Sequence, residues 1–98
     1  MMLEAVKKTL RITHTKLDDS IQDTIKSARA EMIRLGILAY KAEDDSDPLI
    51  REAIETYCQM KYTKDPKKCE MFEKSWCTQV DGLRKSRSYN TKEGGPDV

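Results

Sequence analysis

The sequence is poor in the residue types from which most catalytic and metal sites are built. Its 98 residues include one histidine, His14, and four glycines. A metal set or a catalytic pair that depends on imidazole therefore has a single residue to draw on. Neither a glycine-rich phosphate loop nor another catalytic signature occurs. We predict a protein that is not an enzyme, with no catalytic residue, no metal site and no cofactor.

Cysteines are also few. Cys58, Cys69 and Cys77 include no Cys-x-x-Cys pair, and an odd number does not fit a disulfide framework, so we expect free thiols. Long apolar runs are missing, since no stretch approaches the ~20 residues of a membrane span. The first ten residues lack the apolar centre of a signal peptide. We predict a cytoplasmic protein without membrane contact.

An excess of one charge is absent as well. Eighteen basic and seventeen acidic residues leave a formal charge of +1, whereas a protein that holds DNA by neutralising phosphates usually has a basic excess. The charge is unevenly spread. Residues 43–47, "EDDSD", form an acidic stretch. We interpret it as a solvated loop, because it lacks the glycine and the distal glutamate of a calcium loop.

A short basic segment lies near the C-terminus, where Arg84, Lys85 and Arg87 come close to Tyr89 in the sequence. One interpretation is that positive charge stabilises the C-terminal end of a helix. Contact with a partner protein and contact with a DNA backbone are the alternatives. These four residues are therefore candidates for partner contacts.

The sequence is rich in helix formers with helical spacing. Apolar residues step by three or four over 17–35. Further helices are predicted at roughly 3–11, 48–63 and 66–85. The third has a wide apolar arc, as expected of a central helix. We predict an all-α fold, a small bundle of about four helices. The apolar residues of the second and third helices are Leu17, Ile21, Ile25, Ala28, Met32, Leu35, Leu49, Ile50, Ala53, Ile54, Tyr57, Cys58 and Met60.

Aspartates mark the predicted helix starts. Asp18 or Asp19 can cap the second helix, because a carboxylate accepts hydrogen bonds from first-turn amides. Asp47 and Asp65 each precede a proline, which suits the first turn of a helix. The very short connection before the last helix predicts that the last two helices are antiparallel neighbours.

Periodicity ends before the C-terminus. We expect a single helical domain over residues 1–87. Residues 88–98 show no helical or strand pattern and are predicted to form a flexible tail.

The order of these segments resembles the head–tail connector, or adaptor, proteins of tailed bacteriophages and prophages. "VKKTLRI" (residues 6–12) is similar to the opening of that family, and Asp18 and Asp19 match its aspartates. The "I-x-x-x-I-x-x-A" pattern follows at Ile21, and the third helix begins similarly at Pro48. No motif of the family is recognised in the final helix, so the resemblance covers roughly residues 2–64.

The resemblance implies a structural protein of virion assembly. Such proteins form rings, commonly of twelve subunits, under the portal protein, where they extend the DNA channel and receive the next neck or tail protein. Contact with DNA would be at most non-specific. The expected location is the virion neck after assembly and the bacterial cytoplasm before it. Arg11 and His14 join the candidates for subunit contacts, and the segment from Arg84 to Tyr89 is a candidate for contact with the portal.

A small helical protein that binds DNA or regulates transcription is the alternative. The helices could form a helix-turn-helix, although none is basic enough to stand out as a recognition helix.

Overall fold

The computed structural model describes residues 2–86 and residue 89. Within those residues it contains five helices and no β-strand: α1 (Met2–Leu10), α2 (Asp18–Arg34), α3 (Ala39–Ala42), α4 (Pro48–Tyr62) and α5 (Pro66–Arg84). The predicted all-α bundle is confirmed. The four expected helices are present with ends shifted by at most one residue, and α3 adds a single short turn between α2 and α4.

The apolar stripe of α2 faces the core as predicted. Ile21, Ala28 and Met32 are completely buried, and Ile25 is 5% exposed. An alanine at this position of the stripe lets a neighbouring backbone come close, because its side chain ends at Cβ. The stripe packs α2 against α1, α3 and α4.

Helix α4 is the centre of the bundle, since it packs against α1, α2 and α5. Ile50, Ala53 and Ile54 are completely buried, which is what the wide apolar arc predicted. Leu49 differs from the prediction: it is 52% exposed. It faces the groove beside the end of α5, a neighbour that the spacing within α4 could not reveal.

Helices α4 and α5 are antiparallel neighbours, as predicted from the short turn between them. The Tyr57 and Trp76 rings lie 4.8 Å apart at an angle of 59°, a tilted arrangement that aromatic pairs favour. Trp76 is 5% exposed, and Val80 and Leu83 continue the buried stripe toward the end of α5. The α4–α5 pair therefore contains the largest aromatic side chain of the core.

Two helices end in the same hydrogen-bond motif with different residues. After α2, Gly36 has φ +111°, its N–H donates to the Ile33 carbonyl, and the Ile37 N–H donates to the Met32 carbonyl. After α1, Arg11 has φ +60°, and the N–H groups of Arg11 and Ile12 make the equivalent bonds. This is the Schellman ending, in which glycine is the usual residue at the left-handed position. After α1, this left-handed position is occupied by Arg11, a residue with a long side chain.

Candidate partner-binding surfaces

The connection between α1 and α2 carries two of the predicted contact residues. Arg11 and His14 are both exposed. The His14 Nδ1 accepts a hydrogen bond from the Lys16 N–H at 3.3 Å. The left-handed backbone of Arg11 costs of order 1 kcal/mol for a residue with a Cβ. The structure thus holds the Arg11 side chain at the surface in a conformation that favours glycine.

The start of α2 differs from the prediction. Leu17 occupies the N-cap position, and no side chain caps the helix; Asp18 and Asp19 lie in its first turn. Asp18 Oδ1 lies 2.8 Å from Lys7 Nζ, in a partly buried ion pair. The expected capping role of the two aspartates is therefore wrong. Asp18 joins α2 to α1 through its ion pair with Lys7. Both carboxylates lie in the first turn of α2, where negative charge interacts favourably with the positive end of the helix dipole.

The other two aspartates do occupy N-cap positions. Asp47 Oδ1 accepts a hydrogen bond from the Leu49 N–H at 2.9 Å, and Asp65 Oδ1 accepts one from the Lys67 N–H at 2.9 Å. In both cases a proline follows at the first helical position, where no amide is needed.

Asp47 also holds the C-terminal segment. Its second oxygen, Oδ2, accepts a hydrogen bond from the Tyr89 hydroxyl at 2.6 Å. The Leu38 N–H donates to the Tyr89 carbonyl at 2.6 Å, and Lys41 Nζ lies 5.0 Å from the centre of the Tyr89 ring. We call these three contacts the Tyr89 latch. The hydrogen bond to Asp47, with burial and the nearby negative charge, raises the pKa of Tyr89 to about 12.

The latch places one residue of the predicted tail against the folded domain. The tail was predicted to begin at residue 88, and Tyr89 within it is partly buried against the core. Residues 90–98, which the same prediction covered, lie outside the described residues. So does Arg87, another predicted contact residue.

The remaining basic candidates are engaged within the chain. Arg84 Nε and Lys85 Nζ each lie 3.0 Å from a different oxygen of Asp81. The two cations lower the pKa of the Asp81 carboxyl through hydrogen bonds and charge. Asp81 therefore neutralises part of the positive charge that we predicted to be available for contact with a partner.

Within residues 2–86 and 89, no group of three or more histidine, cysteine or acidic residues could hold a metal ion. The three cysteines are free, with Cys58 buried and Cys77 exposed. Burial and the charge of Glu55 raise the pKa of Cys58 to about 12, which leaves it protonated and unreactive at neutral pH.

The family assignment rests on a comparison with known protein families. A family model described as "Phage connector protein" matches residues 2–87, which is most of the chain. The chain belongs to this family of phage connector proteins. Neither the curated proteins nor the solved structures give a significant match. Membership confirms the resemblance carried by residues 2–64 and extends it over α5. It assigns the connector protein a structural role in phage assembly.

The connector protein has two shallow grooves beside α5. One, of about 260 Å³, lies between Leu49 on α4 and Leu83 near the end of α5 and is partly walled by Tyr89. The other, of about 460 Å³, lies between Leu35 and the face of α5 that carries Trp76 and Arg84. Leu49 and the 68%-exposed Tyr40 present apolar surface at this end of the bundle. Sequence reasoning missed Leu49 as a surface residue, since Leu49 lies in the apolar arc of α4. Among the described residues, no helix is long and apolar enough to cross a membrane.

Proposed function

We propose that this protein is a head–tail adaptor that forms a ring beneath the portal protein, commonly of twelve subunits. The ring would extend the DNA channel and receive a neck or tail completion protein. Its site of action is the virion neck, and before assembly it resides in the host cytoplasm. The observation that carries the proposal is the family match over residues 2–87.

The distribution of exposed apolar residues supports a ring. A ring that closes needs two different surfaces on each subunit, which meet head to tail. Large exposed side chains occur on separate elements: Ile33 on α2, Tyr40 on α3, Leu49 on α4 and Met71 on α5. Apolar side chains spread over several elements suit a subunit that meets neighbours on more than one side.

The Tyr89 latch supports a portal contact near the end of α5. Tyr89 is held by one side-chain hydrogen bond to Asp47, one backbone hydrogen bond to Leu38 and one cation–π contact with Lys41. Contacts of this kind contribute roughly 0.5–1.5 kcal/mol each. A partner that offers slightly more can displace them. We propose that the portal binds the segment from Arg84 to Tyr89 and the adjoining groove beside Leu49.

Light scattering and electron microscopy of the purified protein with its own portal protein test the proposal. We expect a ring-shaped complex with portal whose mass corresponds to about one subunit for each portal subunit. Leu49→Glu should weaken the complex, because it places a charge in the groove proposed to receive the portal. Glu73→Gln, an exposed substitution on α5 outside the grooves, is the matched control and should assemble normally. A protein that stays monomeric with portal at every concentration would contradict the proposal.

A further inference from the structure

The two ends of the bundle differ in the net charge of their residues and in how many of their cations form ion pairs. At one end lie the α1–α2 connection and the α4–α5 turn. A hydrogen bond between the Ser20 and Tyr62 hydroxyls joins the start of α2 to the end of α4, and the Lys7–Asp18 ion pair joins α1 to α2. Residues 7–20 and 61–68 contain eight of the eighteen basic residues and only three of the seventeen acidic ones. This end is therefore strongly basic in a chain whose formal charge is only +1.

Seven cations at this end are exposed, and none makes an ion pair with a described residue. Lys61 lies over the Tyr57 ring, and we call the other six the lysine-rich end: Lys8, Arg11, Lys16, Lys64, Lys67 and Lys68. The opposite end is the paired end. There Arg29 pairs with Asp45, Arg34 with Glu31, and both Arg84 and Lys85 with Asp81.

Two of the unpaired cations are placed against local preference. Lys67 and Lys68 lie in the first turn of α5, which contains no acidic residue, although the positive end of a helix dipole favours acidic side chains. The same region includes Arg11 with its left-handed backbone. Sequences usually satisfy such local preferences, and exceptions concentrate at functional sites.

The composition of the lysine-rich end favours a nucleic acid over a protein. Protein interfaces are enriched in aromatic residues and depleted in lysine, and five of the six cations here are lysines. Tyr40, the aromatic among the exposed large apolar residues, lies on α3, away from this end; Met71 lies one helical turn beyond Lys67. Lysine clusters without base-stacking aromatics bind the phosphates of a duplex rather than single strands.

We infer that the lysine-rich end binds the phosphate backbone of double-stranded DNA without reading its sequence. This deepens the proposed function and rests on it for the setting, because a protein that extends the DNA channel meets packaged duplex. The six cations would contact neighbouring phosphates as point charges. No base contact is involved.

Fluorescence anisotropy with two unrelated ~20-bp duplexes tests the inference on the full chain. Both duplexes should bind equally, with dissociation constants of about 10 μM near 50 mM salt. The slope of log K against log salt should lie between about −3 and −5, since each neutralised phosphate contributes about −0.9.

Matched triple substitutions separate a local surface from overall charge. Lys64→Gln, Lys67→Gln and Lys68→Gln together should weaken binding at least tenfold and make the slope shallower by two to three units. The same change in net charge at the paired end, through Arg34→Gln, Arg84→Gln and Lys85→Gln, should alter affinity less than about threefold. Equal losses in both variants would overturn the inference, as would an absence of salt-dependent binding by the unaltered protein.

Portal association measured on the same samples distinguishes this inference from the proposed function. If the lysine-rich-end variant loses DNA binding but still joins portal, both are supported. Portal association without DNA binding by the unaltered protein would overturn only the inference. Loss of portal association in this variant, with DNA binding unchanged, would assign the surface to a protein contact and also overturn it. DNA binding without portal association would instead overturn the proposed function.

Discussion

The lysine-rich end and the paired end share helices α2, α4 and α5, but the helices begin and end with different kinds of residue at the two ends. At the paired end, α2 terminates in glycine at Gly36 and Asp47 caps α4 while holding Tyr89. At the lysine-rich end, α1 terminates in Arg11, α2 lacks a side-chain cap, and α5, although capped by Asp65, has two lysines in its first turn. The lysine-rich end therefore departs from local preferences at more positions than the paired end, where α3 alone lacks a side-chain cap.

The contrast indicates that residues at the lysine-rich end lower the stability of the bundle for the sake of a function. Local departures at the lysine-rich end cost of order 1 kcal/mol each, and the shared core around α4 offsets them. A small domain has only a few kcal/mol of net stability, so such departures are not expected to accumulate without a use. The paired end needs no comparable explanation.

The largest expected effect tests the core that both ends share. Trp76→Ala should lower the free energy of unfolding by roughly 3–5 kcal/mol, because it removes a buried ring packed against Tyr57. Met71→Ala, on the same helix at 52% exposure, is the control and should cost less than about 1 kcal/mol. Urea unfolding followed by circular dichroism measures both. A cost below about 1 kcal/mol for Trp76→Ala would contradict its burial.

The second effect concerns the paired end. Asp47→Ala removes the α4 cap and the acceptor for Tyr89 together, and should cost about 1–3 kcal/mol. Tyr89→Phe removes only the hydroxyl and should cost less. In a double-mutant cycle the two changes should not add, since each breaks the same hydrogen bond. Asp65→Ala, which removes a cap alone, is the matched control and should add fully to Tyr89→Phe.

The Tyr89 latch also predicts a dependence on alkaline pH. The folded-state pKa of Tyr89 is raised to about 12 from an ordinary value of 10.0, so the folded state binds the hydroxyl proton more tightly than the unfolded state. The stabilisation is then complete below about pH 10 and is lost as pH rises from 10 through 12. The stability difference between the unaltered protein and Tyr89→Phe should shrink over that interval. A constant difference would show that the hydroxyl is not held by Asp47.

Exchanging the helix-ending residues sharpens the comparison next. Arg11→Gly should raise the free energy of unfolding by up to about 1 kcal/mol, because glycine adopts positive φ without strain. Gly36→Ala should lower it by about 1 kcal/mol or more; nothing lies within 4 Å of the added Cβ, so the cost is in the backbone. If Arg11→Gly destabilised the protein, contacts of the arginine side chain would have to exceed the strain of its backbone.

The smallest expected effect follows from removing a carboxylate at the paired end, which leaves cations there without an ion-pair partner. Asp81→Asn leaves Arg84 and Lys85 without their shared carboxylate, and surface pairs of this kind contribute little to stability. The thermal midpoint should hardly move. The salt dependence of DNA binding should stay the same within about one unit, because Arg84 and Lys85 lie at the paired end, away from the proposed DNA surface. Glu73→Gln, with the same change of charge, should behave in the same way. A slope that steepens for Asp81→Asn alone would show that the paired end also contacts DNA.

The helices were predictable because their signals are local. The stripe of α2 and the Asp-Pro starts of α4 and α5 each lie within a few residues of sequence. The failures depend on distant partners. Asp18 was expected to cap α2, but Lys7, on the other side of the α1–α2 connection, pairs with it. The contact between Tyr89 and Asp47, 42 residues earlier in the chain, was not predicted.

The candidate surfaces were less predictable than the fold. Arg84 and Lys85 were singled out as part of a basic segment, and Asp81, one turn earlier, forms ion pairs with both. Lys64, Lys67 and Lys68 were missed, because they belong to a surface completed by the α1–α2 connection. A local signal did exist: two lysines in the first turn of a helix oppose its dipole.

The double use of Asp47 has a consequence for how this position can vary in evolution. Glutamate would keep the charge but moves the carboxylate away from the cap, and serine would keep the cap but cannot reach the Tyr89 hydroxyl as a second acceptor. Asparagine preserves the cap and offers Tyr89 only an amide group. Few residue types are therefore acceptable at position 47 while Tyr89 is present. More types should occur there in relatives that have lost the tyrosine. Among homologues, the two positions should change together.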